Sequence, residues 1–180
     1  MKNKSIFFFF FLATFSCLFF ESYAQEALKP RLSPLEVVTM KYEDAYVKIT
    51  YGRPHKRGRD VFGTELAPYG AIWRTGANEA TEITVTKDIK IAGKKLKAGT
   101  YTLFTIPYQD KWTVILNEEL GQWGAYNYNA EKDILRFDVP VQKTETIYEP
   151  FTVEFEQNHT TTNIIMMWDN VRVSITIEFI

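Results

Sequence analysis

Residues 171 to 179, close to the end of the chain, alternate strictly between apolar and polar side chains. In "VRVSITIEFI" every second residue from Val171 to Phe179 is apolar. Successive side chains of a β-strand point to opposite faces, so this pattern predicts a strand with one buried face. The same period of two recurs in "AYVKITY", "WTVIL", "DILRFDV" and "FTVEF". After residue 24 no sustained helical stripe occurs, and we therefore predict an all-β fold.

Two further runs, "TYTLFTIP" and "NIIMMW", are apolar on both faces, which is typical of central strands covered on each side. Turn-forming pairs separate the runs at the intervals of an antiparallel sheet. These pairs are Glu43-Asp44, Gly93-Lys94, Ala98-Gly99, Gln109-Asp110 and Asp169-Asn170. Roughly nine or ten short strands favour an antiparallel β-sandwich, jelly-roll or immunoglobulin-like, with a closed β-barrel as the alternative.

The N-terminus has the composition of a signal peptide. Lys2 and Lys4 precede an apolar run, and the small residues Ser22 and Ala24 follow it. The run is about 15 residues, whereas a membrane-spanning helix needs roughly 20. We predict that cleavage follows Ala24, that no transmembrane segment remains, and that the protein is exported, either to the periplasm or outside the cell.

The remaining chain is long enough for one domain with a sizeable core. We predict an extended lead-in over residues 25–36 and a single β-sandwich domain over residues 37–180. Lipidation at Cys17 is an alternative fate for the N-terminus. If cleavage follows Ala24, no cysteine is left, which excludes disulfides, thiolate nucleophiles and cysteine metal sites.

Charge is nearly balanced over the mature chain. Removal of Lys2, Lys4 and Glu21 leaves 19 basic and 21 acidic residues, a net charge of −2. Nucleic-acid binding relies on a strongly basic surface, so we predict no nucleic-acid partner. The basic residues of "YGRPHKRGR" (Tyr51 to Arg59) therefore act locally.

One long segment interrupts the strand pattern. From Gly52 to Ala80 the chain runs 29 residues without clean alternation, far beyond the usual connection of about five residues. Long ordered loops on a rigid sheet commonly carry binding and catalysis. Both "YGRPHKRGR" and "WRTGANEAT" (Trp73 to Thr81) lie in this segment.

The blocks "YGRPHKRGRDVFG", "WRTGANEATEI", "LKAGTYTLFTIP", "WTVILN" and "QWGAYNY" resemble those of a bacterial exported family, domain of unknown function 2911. The resemblance extends from about Pro34 to the last strand. It implies export and a single domain. It transfers no catalytic residue, because the family has no agreed activity.

Beyond residue 24, the sequence lacks the motifs that several kinds of enzyme require. Beyond residue 24 the only serines are Ser33 and Ser174, and neither stands in a G-x-S-x-G motif. The two histidines, His55 and His159, are 104 residues apart and outside any zinc-binding spacing. No glycine-rich phosphate loop is present. We predict no metal and no cofactor.

Arginines supply the clearest candidate site. Arg53, Arg57, Arg59 and Arg74 could converge as forked donors on a carboxylate, phosphate or sulfate. Gly52 would let the backbone bend to aim them, as would Gly58. The alternative is a solvated basic loop, or one paired with local acids such as Asp60, Glu65 and Glu79.

"WRTGANEAT" has two interpretations. It is a structural corner closed by a buried Trp73, or Arg74 and Asn78 contact a ligand and Glu79 acts as a general acid or base. "GQWGAYNYN" likewise offers Trp123, Tyr126 and Tyr128 either as a platform for a sugar ring or as cover for the core.

We predict a binding module for a polar or anionic small molecule or a glycan. The candidate ligand-binding residues are Tyr51, Arg53, His55, Arg57, Arg59, Trp73, Arg74, Asn78, Glu79, Trp123 and Tyr126. One alternative is a carbohydrate hydrolase that uses two carboxylates among Glu79, Glu82 and Asp133, about 5 to 9 Å apart. Another is a structural or assembly protein of the cell envelope.

Overall fold

The computed structural model of the protein describes residues 29–180, and the predicted signal peptide and Cys17 lie outside them. The described chain forms ten strands and one short 3₁₀ turn, Ala130–Lys132. The strands are β1 (Leu35–Tyr42), β2 (Ala45–Gly52), β3 (Thr81–Val85), β4 (Ile89–Ile91), β5 (Lys94–Leu96), β6 (Gly99–Pro107), β7 (Lys111–Asn117), β8 (Asp133–Pro140), β9 (Gln142–Asn158) and β10 (Thr161–Phe179). None of residues 29–180 belongs to a helix long and apolar enough to cross a membrane.

The strands form two antiparallel sheets. One has the order β1-β2-β3-β6-β7-β8, and the other has the order β5-β4-β10-β9. Neither sheet closes on itself, so the predicted β-sandwich is confirmed and the closed barrel does not apply. β1 begins at Leu35, two residues before the domain start predicted from the sequence.

The core lies where the inner faces of the two sheets meet, and alternation selects its residues. In β2, Val47, Ile49 and Tyr51 are each 1% exposed. In β10 the apolar positions from Val171 to Ile177 are equally buried. Each large apolar side chain buried in this way contributes roughly 1.5 to 3 kcal/mol to the free energy of unfolding.

An aromatic cluster ties the long β2–β3 connection to both sheets. Trp73 of the connection packs edge-on against Trp112 of β7, with ring centroids 5.6 Å apart, and stacks on Trp168 of β10 at 5.9 Å. The ring centroid of Phe151 in β9 lies 5.2 Å from that of Trp73. The connection is therefore held by the core at its middle.

One predicted turn is wrong. Asp169-Asn170 does not end a strand, because β10 continues through both residues to Phe179. The pairing register with β9 shifts on each side of Asp169, whose φ is 53°. A β-bulge can need the same left-handed backbone as a tight turn, and Asp tolerates it, so the two features share a sequence signature.

Candidate functional site

We call the segment from Tyr51 to Arg59 the basic string, and its residues 54–56 extend the open edge of the smaller sheet. The Lys56 amide donates to the Glu149 carbonyl at 2.8 Å, and the Phe151 amide donates to the Pro54 carbonyl at 2.8 Å. His55 thereby pairs with Pro150 of β9. Strand-like hydrogen bonds fix this part of the long connection, and the side chains of the string project from it at defined positions.

The second half of the connection is fixed to the larger sheet. The Trp73 amide donates to the Thr105 carbonyl of β6 at 2.7 Å, and the Thr105 amide returns a bond of 3.0 Å. Thr81 then closes a turn by donating to the Arg74 carbonyl at 3.1 Å. The Arg74 side chain therefore projects from a backbone segment that these hydrogen bonds hold in place.

Between these two anchored segments lies a cleft of about 740 Å³. Four arginines line it, Arg31, Arg57, Arg59 and Arg74, and we call it the arginine cleft. Six of the candidate residues predicted from the sequence meet there. They are His55, Arg57, Arg59, Arg74, Asn78 and Trp123.

No aspartate or glutamate is among the described residues that line the cleft. At its margin, Arg31 Nη1 forms an ion pair with both carboxylate oxygens of Glu79, at 2.8 and 2.9 Å. Arg57 donates to the Leu32 carbonyl, and Arg59 donates to the carbonyl oxygens of its own turn. Carbonyl oxygens carry no full charge, so the cleft has a local excess of positive charge.

Arg74 differs from the other three arginines. Its Nε is buried and has no hydrogen-bond partner, and its guanidinium makes no hydrogen bond or ion pair with another described residue. A buried donor without an acceptor costs roughly 1 to 3 kcal/mol, and more when it is charged. The cleft thus contains a cation whose natural partner, an oxyanion, does not come from the described residues 29–180.

A small ribbon of two chain segments contributes Asn78 and Trp123 to the lining of the cleft. Glu79 pairs with Trp123 as an isolated antiparallel bridge, flanked by the bond from the Gly124 amide to the Asn78 carbonyl at 2.9 Å. Trp123 is 58% exposed, so its indole presents a flat apolar surface to the cleft. The side-chain Nδ2 of Asn78 donates to the Ser33 carbonyl at 3.2 Å.

Five of the predicted residues do not line the arginine cleft. Tyr51 is buried in the core, where its hydroxyl accepts from the Val153 amide and burial raises its pKa. Arg53 turns toward Thr152 and Glu36, at 3.3 and 3.5 Å. The remaining three residues are Trp73 in the aromatic cluster, Glu79 at the cleft margin and Tyr126, which is 82% exposed.

The three carboxylates proposed for a hydrolase are already engaged. Hydrogen bonds from its own backbone amide, and then from Arg31, lower the pKa of Glu79, whereas a general acid near neutral pH needs a raised pKa. Glu82 accepts from the Gly121 amide at 2.9 Å. Asp133 accepts from Tyr128 at 2.6 Å, and burial followed by this bond raises the pKa of Tyr128 to about 12.

The described residues contain no group of three or more His, Cys, Asp or Glu side chains placed to hold a metal ion. The sequence reasoning missed Arg31, Leu32 and Ser33, which form one wall of the cleft. They lie in the predicted lead-in, and no local pattern distinguishes a lead-in that folds back over a loop from one that extends into solvent.

Comparison with known proteins gives one match. Searches of curated proteins and of solved structures found no similar protein. The family model described as "Protein of unknown function (DUF2911)" matches residues 33–177. That range includes the whole β-sandwich except its last residues, together with most of the cleft. The resemblance noted in the sequence is confirmed, and the chain belongs to the DUF2911 family.

Proposed function

We propose that the protein is a binding module for an anionic small molecule, held in the arginine cleft. The proposal rests on Arg74, a partly buried guanidinium without an acceptor from the described chain, at a point where three further arginines converge. Paired donors of a guanidinium match the oxygens of a carboxylate, phosphate or sulfate. Because residues 1–24 resemble a signal peptide, we propose that the module acts after export.

The arrangement favours recognition over catalysis. The lining contributes arginines, an amide and an indole, and the nearby carboxylates already accept hydrogen bonds from the protein. An oxyanion in the cleft would satisfy the Arg74 guanidinium, which has no acceptor among residues 29–180. The exposed Trp123 would then cover an apolar face or a sugar ring of the same ligand.

The test is to titrate the purified protein with acetate, inorganic phosphate, sulfate and glucuronate by calorimetry. We expect at least one of these anions to bind, and Arg74→Gln to weaken its affinity by about tenfold or more. The matched control is Arg172→Gln. Arg172 lies on β10, bonded to Gln142 and Glu156, and its loss changes the net charge equally without touching the cleft.

The melting temperature of Arg74→Gln without ligand tests whether Arg74 contacts a ligand or stabilises the fold. If Arg74 serves the ligand, Arg74→Gln melts no lower than the native protein without ligand, because the substitution removes an unsatisfied charge. A variant that melts lower, while both proteins show the same anion affinity, would contradict the proposal. So would the failure of all four anions to bind the native protein.

A further inference from the structure

A second, smaller recess adjoins the arginine cleft. It has a volume of about 230 Å³, and its polar side chains include Glu79, Glu82 and Gln122 beside the apolar Leu35 and Ala80. No lysine, arginine or histidine is among the described residues that line it. We call this recess the acid pocket. Its charge is opposite to that of the cleft.

The two recesses are built from the same segments. In the ribbon, Asn78 and Trp123 line the cleft, while Glu79 and Gln122, one position away on each segment, line the acid pocket. The Ala80 amide donates to the Gln122 carbonyl at 2.9 Å and continues the ribbon. The ribbon therefore contributes residues to both recesses.

The Arg31–Glu79 ion pair marks the boundary, because Arg31 lines the cleft and Glu79 lines the acid pocket. Their side chains are 51% and 40% exposed. An exposed pair of this kind contributes at most about 1 kcal/mol, so a ligand can replace it at small cost. A carboxylate would take the place of Glu79 on Arg31, and an ammonium group would take the place of Arg31 on Glu79.

Gln122 gives independent evidence that the described residues leave an acceptor of the acid pocket without a donor. The residue is 9% exposed, and its Nε2 donates to the Glu119 carbonyl at 3.1 Å, which fixes the orientation of the amide. Its Oε1 is then a buried acceptor without a hydrogen bond. Buried acceptors are rarely left unpaired in native proteins. Gln122 lines the pocket, and a small rotation of its side chain would bring this oxygen to an N–H donor bound there.

We propose that the acid pocket is a second subsite for an ammonium group, so that the ligand is a zwitterion spanning the Arg31–Glu79 ion pair. The inference rests on the proposed function of the arginine cleft. Glu82 supplies the main charge, since the Gly121 amide occupies only its Oε1. Leu35 and Ala80 contact the aliphatic part of an amine.

The experiment compares acids that differ only in a terminal amine. The purified protein is titrated with β-alanine, γ-aminobutyrate and ε-aminocaproate, and with propionate, butyrate and caproate as matched acids. We expect one amino acid to bind at least about tenfold more tightly than its matched acid, at the chain length that spans the two recesses.

Two variants test which subsite is responsible for the tighter binding of the amino acid. Glu82→Gln can still accept from the Gly121 amide but lacks the charge, so it should abolish the gain from the amine and leave the binding of the plain acid unchanged. Arg74→Gln should weaken both members of each pair. Glu178→Gln is the control variant. It removes the same charge, but Glu178 pairs with Lys90 on β4 and does not line the acid pocket.

The possible failures are distinguishable. If plain acids bind through Arg74 but the amine adds nothing at any chain length, the second subsite is wrong and the anion site stands. If no carboxylic acid binds, the zwitterion is wrong, and the proposed function fails as well unless phosphate or sulfate binds in the first titration. Titration with n-butylammonium then decides the acid pocket alone: binding that Glu82→Gln removes supports an ammonium site, and no binding overturns it.

Discussion

Gly52 shows how one residue positions the candidate site. A Cβ at this position would lie 1.9 Å from the carbonyl oxygen of Ala77, and a Cβ on Gly76 would lie 2.8 Å from the carbonyl oxygen of Gly52. The end of β2 and the turn that carries Arg74 therefore approach more closely than side chains permit. The Ala77 amide uses this approach to donate to the Gly52 carbonyl at 3.1 Å.

We expect Gly52→Ala to lower the free energy of unfolding by about 3 kcal/mol, because the new methyl group meets backbone that cannot rotate away. Urea denaturation measures the change. The control is Gly93→Ala in the β4–β5 hairpin, where a Cβ meets nothing within 4 Å and only the φ of 74° is strained, at a cost of about 1 kcal/mol. Equal losses in the two variants would show that the close approach is unimportant.

At the scale of secondary-structure elements, the bulge of β10 contacts the basic string through an ion pair. Lys56 Nζ lies 2.9 Å from Asp169 Oδ1, and the side chains are only 19% and 20% exposed. The bulge presents Asp169 to the string at a point where regular pairing with β9 is interrupted. The ion pair thus fixes the string to β10 as well as to the edge of β9.

We expect Lys56→Gln and Asp169→Asn each to destabilise the protein by about 1 kcal/mol, and the double variant to lose less than the sum, since the two share one interaction. Asparagine tolerates the φ of Asp169, so the second substitution tests charge and not backbone strain. A double-mutant cycle in urea measures the coupling. The exposed pair Lys87–Asp44 should give nearly none, and equal coupling in the two cycles would refute the role of burial.

At the scale of the whole molecule, the features that could be predicted from the sequence are those that depend on neighbouring residues. Alternation located β2 and the second half of β10, because the two-residue period of a strand can be seen in consecutive residues. Loop length and charge located Arg57, Arg59 and Arg74, which the structure brings into one cleft. The position of Arg31 depends on a fold-back of the lead-in onto the ribbon. That contact joins residues 48 apart and leaves no local pattern.

The same limit explains why some predicted residues lie elsewhere. Arg53 follows the last residue of β2, and its side chain reaches Thr152 of β9 instead of the cleft. Tyr126 packs its ring over Gly124, where a Cβ would lie only 2.7 Å from the ring, and remains exposed. Sequence proximity to a site does not specify direction, because direction is set by backbone turns that tertiary contacts stabilise.

The aromatic cluster makes the long connection part of one cooperative unit with both sheets. Trp73 comes from the connection, Trp112 from the larger sheet and Trp168 from the smaller one, and each is at most 2% exposed. Opening the connection alone would expose Trp73 and leave a cavity between the other two rings. Loss of a buried tryptophan from a core costs about 3 to 5 kcal/mol, so the cleft cannot melt well before the sandwich.

We therefore expect a single urea transition, with tryptophan fluorescence, far-ultraviolet circular dichroism and anion binding lost at the same midpoint. The variant Trp123→Phe removes the 58% exposed indole, so the native emission should shift to shorter wavelength while the midpoint is unchanged. Fluorescence changes that precede the loss of β-structure would mean that the connection unfolds on its own. The arginine cleft would then be assembled by its ligand, and Arg74 would not be held in place beforehand by the fold.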